Sequence, residues 1–443
     1  MTDMRKTRRC APMVRALLMS LVLMLSIAAI LPAGGQAQAA DGVVDLEMTT
    51  FWVGTNPLRP WKEILIEEFE RQYEGVYRLN VIEIPGDAQH ADRVLANAAA
   101  GNAPDITTGN VGLMQDLRDT GLMLELTQYL DADPEWRDSF HPNAFDYYYT
   151  ADGELYALPY SRDNVGIYYN TRLFAEAGID EFPRTWDGFF AASQQLVDNG
   201  TIPFAMDNGW IFGLMMINMI GTQPGGAEWL QTRNYEQRWT GSRPAIAGAE
   251  LLRDYIQAGY TQRGAMADGY PQAATLFLQG DAAMIANGPW MINSIRGIGA
   301  EAMDGLYDEV NYDISPGSGI ISIFGEAAFA SGASTEETAE GAVAFLKLAT
   351  SREQMINQML IVTRPGTVPV ELNEEEAAQI DRLLVAIEDR APGATYAYPH
   401  FQLAFPQAVW EEFTNFLPAF IEGSISTTEF FNALDDRLES YLR

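Results

Sequence analysis

Along the chain, short runs with apolar residues at every second position alternate with longer segments in which they recur every three or four. Residues 44–51 follow the first pattern and predict a strand; in 61–73, Trp61, Leu65, Phe69 and Tyr73 fall on one helical stripe. A second strand is predicted over 79–84. Gly86-Asp87 then opens an alanine-rich helix that Gly101 stops. Ala103-Pro104-Asp105-Ile106 begins a third strand, with Gly109-Asn110 just past its end. Further helices are predicted at 186–198, 245–258, 335–350, 374–388 and 426–442, the last with Phe430, Leu434, Leu438 and Tyr441 on one face. No repeat, low-complexity tract or flexible linker interrupts the series. Short strands alternating with helices predict an α/β protein. In open α/β sheets ligands sit beyond the carboxyl ends of strands, which points to loops 52–56, 86–87 and 109–110.

The first residues follow a different pattern. Arg5, Lys6, Arg8, Arg9 and Arg15 precede an apolar run over 16–31, and Ala37-Gln38-Ala39 suits signal peptidase. That run falls short of the roughly 20 residues a membrane helix needs, which favours a cleaved leader over 1–39 above a membrane anchor. The only cysteine, Cys10, precedes the apolar run, which argues against a lipid-modified cysteine at the new N-terminus. The remaining chain has no thiol, so disulfides, thiol catalysis and cysteine zinc sites are excluded there. A formal charge of −32, with lysine only at 6, 62 and 347, opposes binding to nucleic acid or anionic lipid.

Enzyme signatures are sparse. There is no G-x-x-x-x-G-K-[ST] and no H-E-x-x-H, and His90, His141 and His400 lie far apart in sequence. No metal or organic cofactor is implied. Acidic residues are so abundant that any chosen pair is poor evidence for glycoside hydrolysis. What stands out is tryptophan in turn-like contexts: Trp52 before Gly54-Thr55-Asn56, Trp210 after Asp207-Asn208-Gly209, and Trp290 after Asn287-Gly288-Pro289. Rings flanked by Asn, Asp or Arg suit a sugar, whose C–H faces stack while its hydroxyls take multidentate partners. Trp61, Trp186 and Trp410 sit on helical stripes and are assigned to the core.

Four stretches together resemble the family 1 extracellular solute-binding proteins, which include maltose-binding protein. Ala100 to Ile106 reads AGNAPDI, with GLMLELT following at 121–127. Residues 152–187 read DGELYALPYSRDNVGIYYNTRLFAEAGIDEFPRTWD. Residues 277–290 read FLQGDAAMIANGPW, and 339–354 end in a helix of the type F-L-x-x-x-x-S-x-E-Q. The resemblance implies a two-lobed periplasmic binding protein fold (type II-like), its lobes joined by several hinge strands. It implies residues 40–159 and 329–369 in the first lobe and 160–328 and 370–443 in the second. Ligand would be held between closing lobes and delivered to the transmembrane permease of an ABC importer in the periplasm, by a protein expected to be a monomer and not an enzyme. Carried over position by position, the resemblance puts Trp290, Trp210 and Asn110 at the ligand, with Asn164 or its neighbour Asp163 at the hinge. It adds Glu326, where many members have a second glycine, and Arg364 in the Arg-Pro-Gly-Thr-x-Pro loop. The loop reading adds Trp52 and Asn56. A mono- or oligosaccharide is the expected ligand. A glycerol-phosphate or other polar solute, a secreted glycan-degrading enzyme and a signalling receptor are the alternatives.

Overall fold

The computed structural model describes residues 42–443 apart from 55, 110, 119, 151, 233–234, 300–304 and 331–334. The leader expected over 1–39 lies outside the described residues. The described strands are β1 (Val44–Thr50), β2 (Tyr77–Glu83), β3 (Ile106–Gly109), β4 (Ala157–Asn170), β5 (Ile202–Phe204), β6 (Ala282–Asn287), β7 (Val310–Asp313), β8 (Gly319–Ala330) and β9 (Tyr396–Tyr398). Their order is β2-β1-β3-β8-β4-β6-β5, with β7 beside β4 and β9 beside β8. β1 runs parallel to β2 and β3, and β5 parallel to β6, the arrangement that helical crossovers produce. β8 and β4 are antiparallel to each other and join the two parallel groups.

Those two strands are long because each serves two cores. β4 pairs with β8 from Ala157 to Val165, then with β6 and β7 from Gly166 to Asn170. Gly166 marks the change of partner. A Cβ there would stand 2.4 Å from the Asp313 carbonyl and 2.6 Å from the Tyr312 hydroxyl, so a larger residue would drive β7 away.

Buried apolar side chains fall into two clusters. One gathers Leu46, Trp61, Leu65, Phe69, Leu158 and Tyr160 with Phe324, Phe329, Phe345 and Val368. The other gathers Val165, Phe189, Leu252, Ile285, Tyr312 and Ile321 with Phe413 and Phe430. β4 passes from one cluster to the other between Tyr160 and Val165, and β8 between Phe324 and Ile323. A third connection runs beside them: Arg162 N donates to Pro365 O at 2.8 Å and His141 N to Thr367 O at 3.0 Å.

The helices follow local chemistry. Thr185, Ser351 and Ser426 cap helix starts with their hydroxyls, Ser426 in a capping box with Glu429. The helix predicted at 374–388 is two helices, Glu374–Gln379 and Arg382–Arg390. Asp381 breaks the run because its carboxylate caps the second helix, accepting from Leu383 N at 2.8 Å. On the last helix Phe430, Leu434 and Leu438 are buried, but Tyr441 is 43% exposed where the final turn leaves the core. No helix among the described residues is long and apolar enough to cross a membrane.

Candidate ligand-binding site

Between the two clusters lies a cavity of about 440 Å³ whose walls come from both. That is near the small end of the ~300–1,000 Å³ typical of small-molecule sites. Five of the residues singled out in the sequence reach its wall: Asn56, Asp163, Trp210, Trp290 and Arg364.

Trp290 follows β6, and Gly288 fixes where its ring lies. A Cβ on Gly288 would stand 2.4 Å from the indole Cζ3, so the ring folds back over a bare Cα. Tyr168 Oη holds that turn by donating to Gly288 O at 2.9 Å. The Arg364 guanidinium lies 5.8 Å from the Trp290 ring, within cation–π range. Trp210 opens the helix Trp210–Gly221. Asp207 Oδ1 caps that helix, accepting from Ile211 N at 2.8 Å and Phe212 N at 3.3 Å, and the helix dipole favours a carboxylate there. The Trp210 and Trp290 rings are 6.0 Å apart and inclined at 54°, and His400 meets the Trp210 ring edge-on at 5.4 Å. Burial pulls the His400 imidazole down to about 4, so it is neutral at pH 7.

Under the aromatic pair sits a buried ion pair. Arg364 Nε donates to Asp163 Oδ1 at 3.0 Å and its Nη2 reaches Asp163 Oδ2 and, at 3.1 Å, Ser161 Oγ. The pair ties β4 to the third connection. Buried pairs of this kind serve geometry more than stability, because desolvation offsets most of their attraction. Along β4 side chains alternate, so Asp163 faces the cavity while its neighbours face away. Arg162 pairs with Glu388, and Asn164 Nδ2 donates to Glu388 Oε1 at 3.1 Å. Of the two hinge candidates, Asn164 is therefore on the face of the strand turned away from the cavity and Asp163 on the face toward it.

Trp52 is also displaced from its expected place. It is fully buried in the first cluster, with its ring 5.9 Å from Trp61 and 5.3 Å from Tyr160. The helix Arg59–Gln72 covers it and takes it off the cavity wall. Asn56 reaches the wall but spends its side-chain oxygen locally, accepting from Leu58 N at 2.9 Å just before that helix. Asn110 lies outside the described residues. Glu326 lies on β8, and its side chain is outside them too.

Asp87, in the expected ligand loop 86–87, is also on the wall, whereas the sequence reading missed Gln115, Tyr148, Tyr235, Tyr270 and His400, which line it too. Tyr270 follows Asp268-Gly269 as Trp210 follows Asn208-Gly209, a shared turn context that was available as a signal. Tyr270 Oη accepts from Asn287 Nδ2 at 3.0 Å, which joins it to the Trp290 turn, and burial raises its pKa. Burial likewise raises the Asp87 carboxyl. Among the described residues no group of three or more His, Cys, Asp or Glu side chains is arranged to hold a metal.

Comparison with known proteins places this geometry. Residues 54–356 match the profile of the bacterial extracellular solute-binding proteins. A binding protein of Brucella abortus is 24% identical over 281 residues, 59% of this chain and 61% of that one. The galactooligosaccharide-binding protein of Bacillus subtilis is 23% identical over 236 residues, 53% of each chain. The chain thus spans less than two thirds of the length of the curated relatives it matches. Among solved structures a chitin oligosaccharide binding protein superposes with a TM-score of 0.76 at 21% identity, over 90% of this chain and 98% of that one. It has the same two-lobed α/β fold. The match over most of the folded region, together with that fold, makes this chain a member of the bacterial extracellular solute-binding protein family.

Proposed function

We propose that the protein is the periplasmic receptor of an ABC-type importer and that it captures a carbohydrate between its lobes for delivery to the permease. The observation that carries this reading is the meeting of Trp210 and Trp290, 6.0 Å apart, in a cavity lined from both clusters. Two inclined rings beside hydrogen-bonding side chains suit a ring-shaped polyol, which stacks on one group and bonds to the other. Sugar-binding relatives in the same family agree with it. The domain division follows the same logic. The lobes expected at 40–159 with 329–369 and at 160–328 with 370–443 are shifted by packing only at the crossings, where Tyr160 and Phe324, Ala327 and Ala328 join the first, and ligand favours the closed state by its differential affinity.

A glycerol-phosphate ligand fits the wall less well. Arg364 is the arginine that lines the cavity, and it is held by Asp163 beneath Trp290. A hydrolytic reading fits less well for the same reason, since Asp163 is engaged by Arg364 rather than presented to a scissile bond.

The test is a thermal-shift screen of the chain from Ala40 onward against mono- and disaccharides, polyols, glycerophosphodiesters and amino acids. A ligand that binds only the folded state raises the melting temperature by mass action. The expected result is a shift of several degrees with one sugar class. A shift with a phosphodiester or an amine alone would overturn the carbohydrate assignment.

A further inference from the structure

Tyr235 differs from every other residue on the cavity wall. Its backbone lies in the left-handed region, with φ of 53°, which non-glycine residues seldom occupy and hold only where their surroundings impose it. Its hydroxyl donates to Gln115 Oε1 at 3.1 Å. Gln115 belongs to the helix Val111–Arg118, whose Leu113, Met114 and Leu117 pack in the first cluster, whereas Tyr235 packs against the second. The hydrogen bond therefore spans the cleft, and both partners line the cavity. The closure extends beyond this pair. The short helix Phe401–Ala404 touches Val111–Arg118, and Leu403 packs against both clusters.

From this we infer that the Tyr235–Gln115 bridge sets the upper length of the ligand, making these two residues determinants of specificity for short saccharides. The inference rests on the carbohydrate reading above. A cavity of about 440 Å³ holds on the order of one or two sugar rings. A groove open at the sides would let a longer chain run out into solvent. Here a cross-lobe hydrogen bond joins two wall residues and Leu403, also on the wall, packs against both clusters, so rings added in that direction must either break the bridge or hold the lobes apart. Either requirement falls on long ligands and spares short ones, which is how a wall acts as a length filter.

The test is calorimetric titration with gluco-, galacto-, xylo- and chito-oligosaccharide ladders of one to six rings. In the bound class, one- and two-ring members are expected to bind at least tenfold more tightly than four-ring members. Tyr235→Ala and Gln115→Ala should narrow that ratio to about threefold or less. Tyr235→Phe, which keeps the ring, separates the lost hydrogen bond from the lost bulk. Circular dichroism and melting curves verify that each variant folds. Equal affinity for two and four rings in the wild type overturns the length filter and leaves the sugar receptor standing. A ratio unchanged in both alanine variants also overturns it. If no ladder member binds at any length, the carbohydrate reading fails and the inference falls with it.

Discussion

Trp52 and Trp290 look alike on paper and end in opposite places. Each stands just past a strand, among glycine, proline and asparagine. Trp52 is fully buried against Trp61 and Tyr160, whereas Trp290 lies on the cavity wall beside Trp210. The difference lies in what returns to cover each ring. After Trp52 the chain turns into the helix Arg59–Gln72, which brings Trp61 back onto it. After Trp290 no helix among the described residues returns over the ring, which meets the Arg364 guanidinium and Trp210, and the glycine two residues before lets the indole fold back over the backbone. A loop aromatic thus goes to the core where a later segment returns to cover it, and stays at the site where its own turn holds it and none does.

The contrast is broken most directly by truncating each ring. Trp52→Ala is expected to lower unfolding free energy by about 3–5 kcal/mol, the usual range for a fully buried aromatic, as measured by denaturant titration. The affinity of any variant that still folds should change little. Trp290→Ala should do the reverse. Affinity for the sugar found in the thermal screen should fall roughly hundredfold or more, about 3 kcal/mol, with the melting temperature of the ligand-free protein nearly unchanged. Equal stability losses in the two variants would erase the distinction.

Gly288→Ala sharpens it, because it leaves Trp290 in place and moves only its ring. With 2.4 Å available for the new Cβ, the indole must tilt into the cavity, and affinity should drop about tenfold in the same titration. The smallest effect concerns the histidines of the two lobes. Burial pulls His90, His141 and His400 alike down to about 4. The unfolded chain takes up protons near 6.5, so the stability these neutral rings contribute is full above that pH. It is lost as pH falls toward about 4. His90→Gln should flatten that decline by on the order of 1 kcal/mol in melting curves recorded from pH 7 to 4. A decline unchanged by the substitution would remove His90 from the acid sensitivity.

Periodicity carried most of the architecture. The strands β1 and β2 and the helices Trp186–Asp198 and Glu336–Ala349 stand within a residue or two of their expected bounds, because apolar spacing and capping residues act locally, whereas β3 starts three residues later than expected, at Ile106. The two-lobed fold came from motif order, since nothing local tells β3 that its neighbour is β8. The site was legible where a side chain's role depends on its own loop, as for Trp290 and Trp210. It was illegible where long-range packing decides. Trp52 is covered by a later helix, and Asn164 is turned away by the register of β4. Tyr235, Gln115 and His400 come from segments that meet only when the lobes form.

The pairing of Ile106 with Ala330 and of Ala157 with Phe329 has a consequence for how the chain acquires its structure. The first lobe is written at both ends of a long stretch of sequence, so its core stays open until the return segment arrives. Pairing across such distances is slow compared with local helix formation. A chain ending before residue 319 would leave the outer edge of β3 without its neighbour and the Phe69–Leu65 core without Phe345. The N-terminal third made alone would therefore lack part of its own sheet and core.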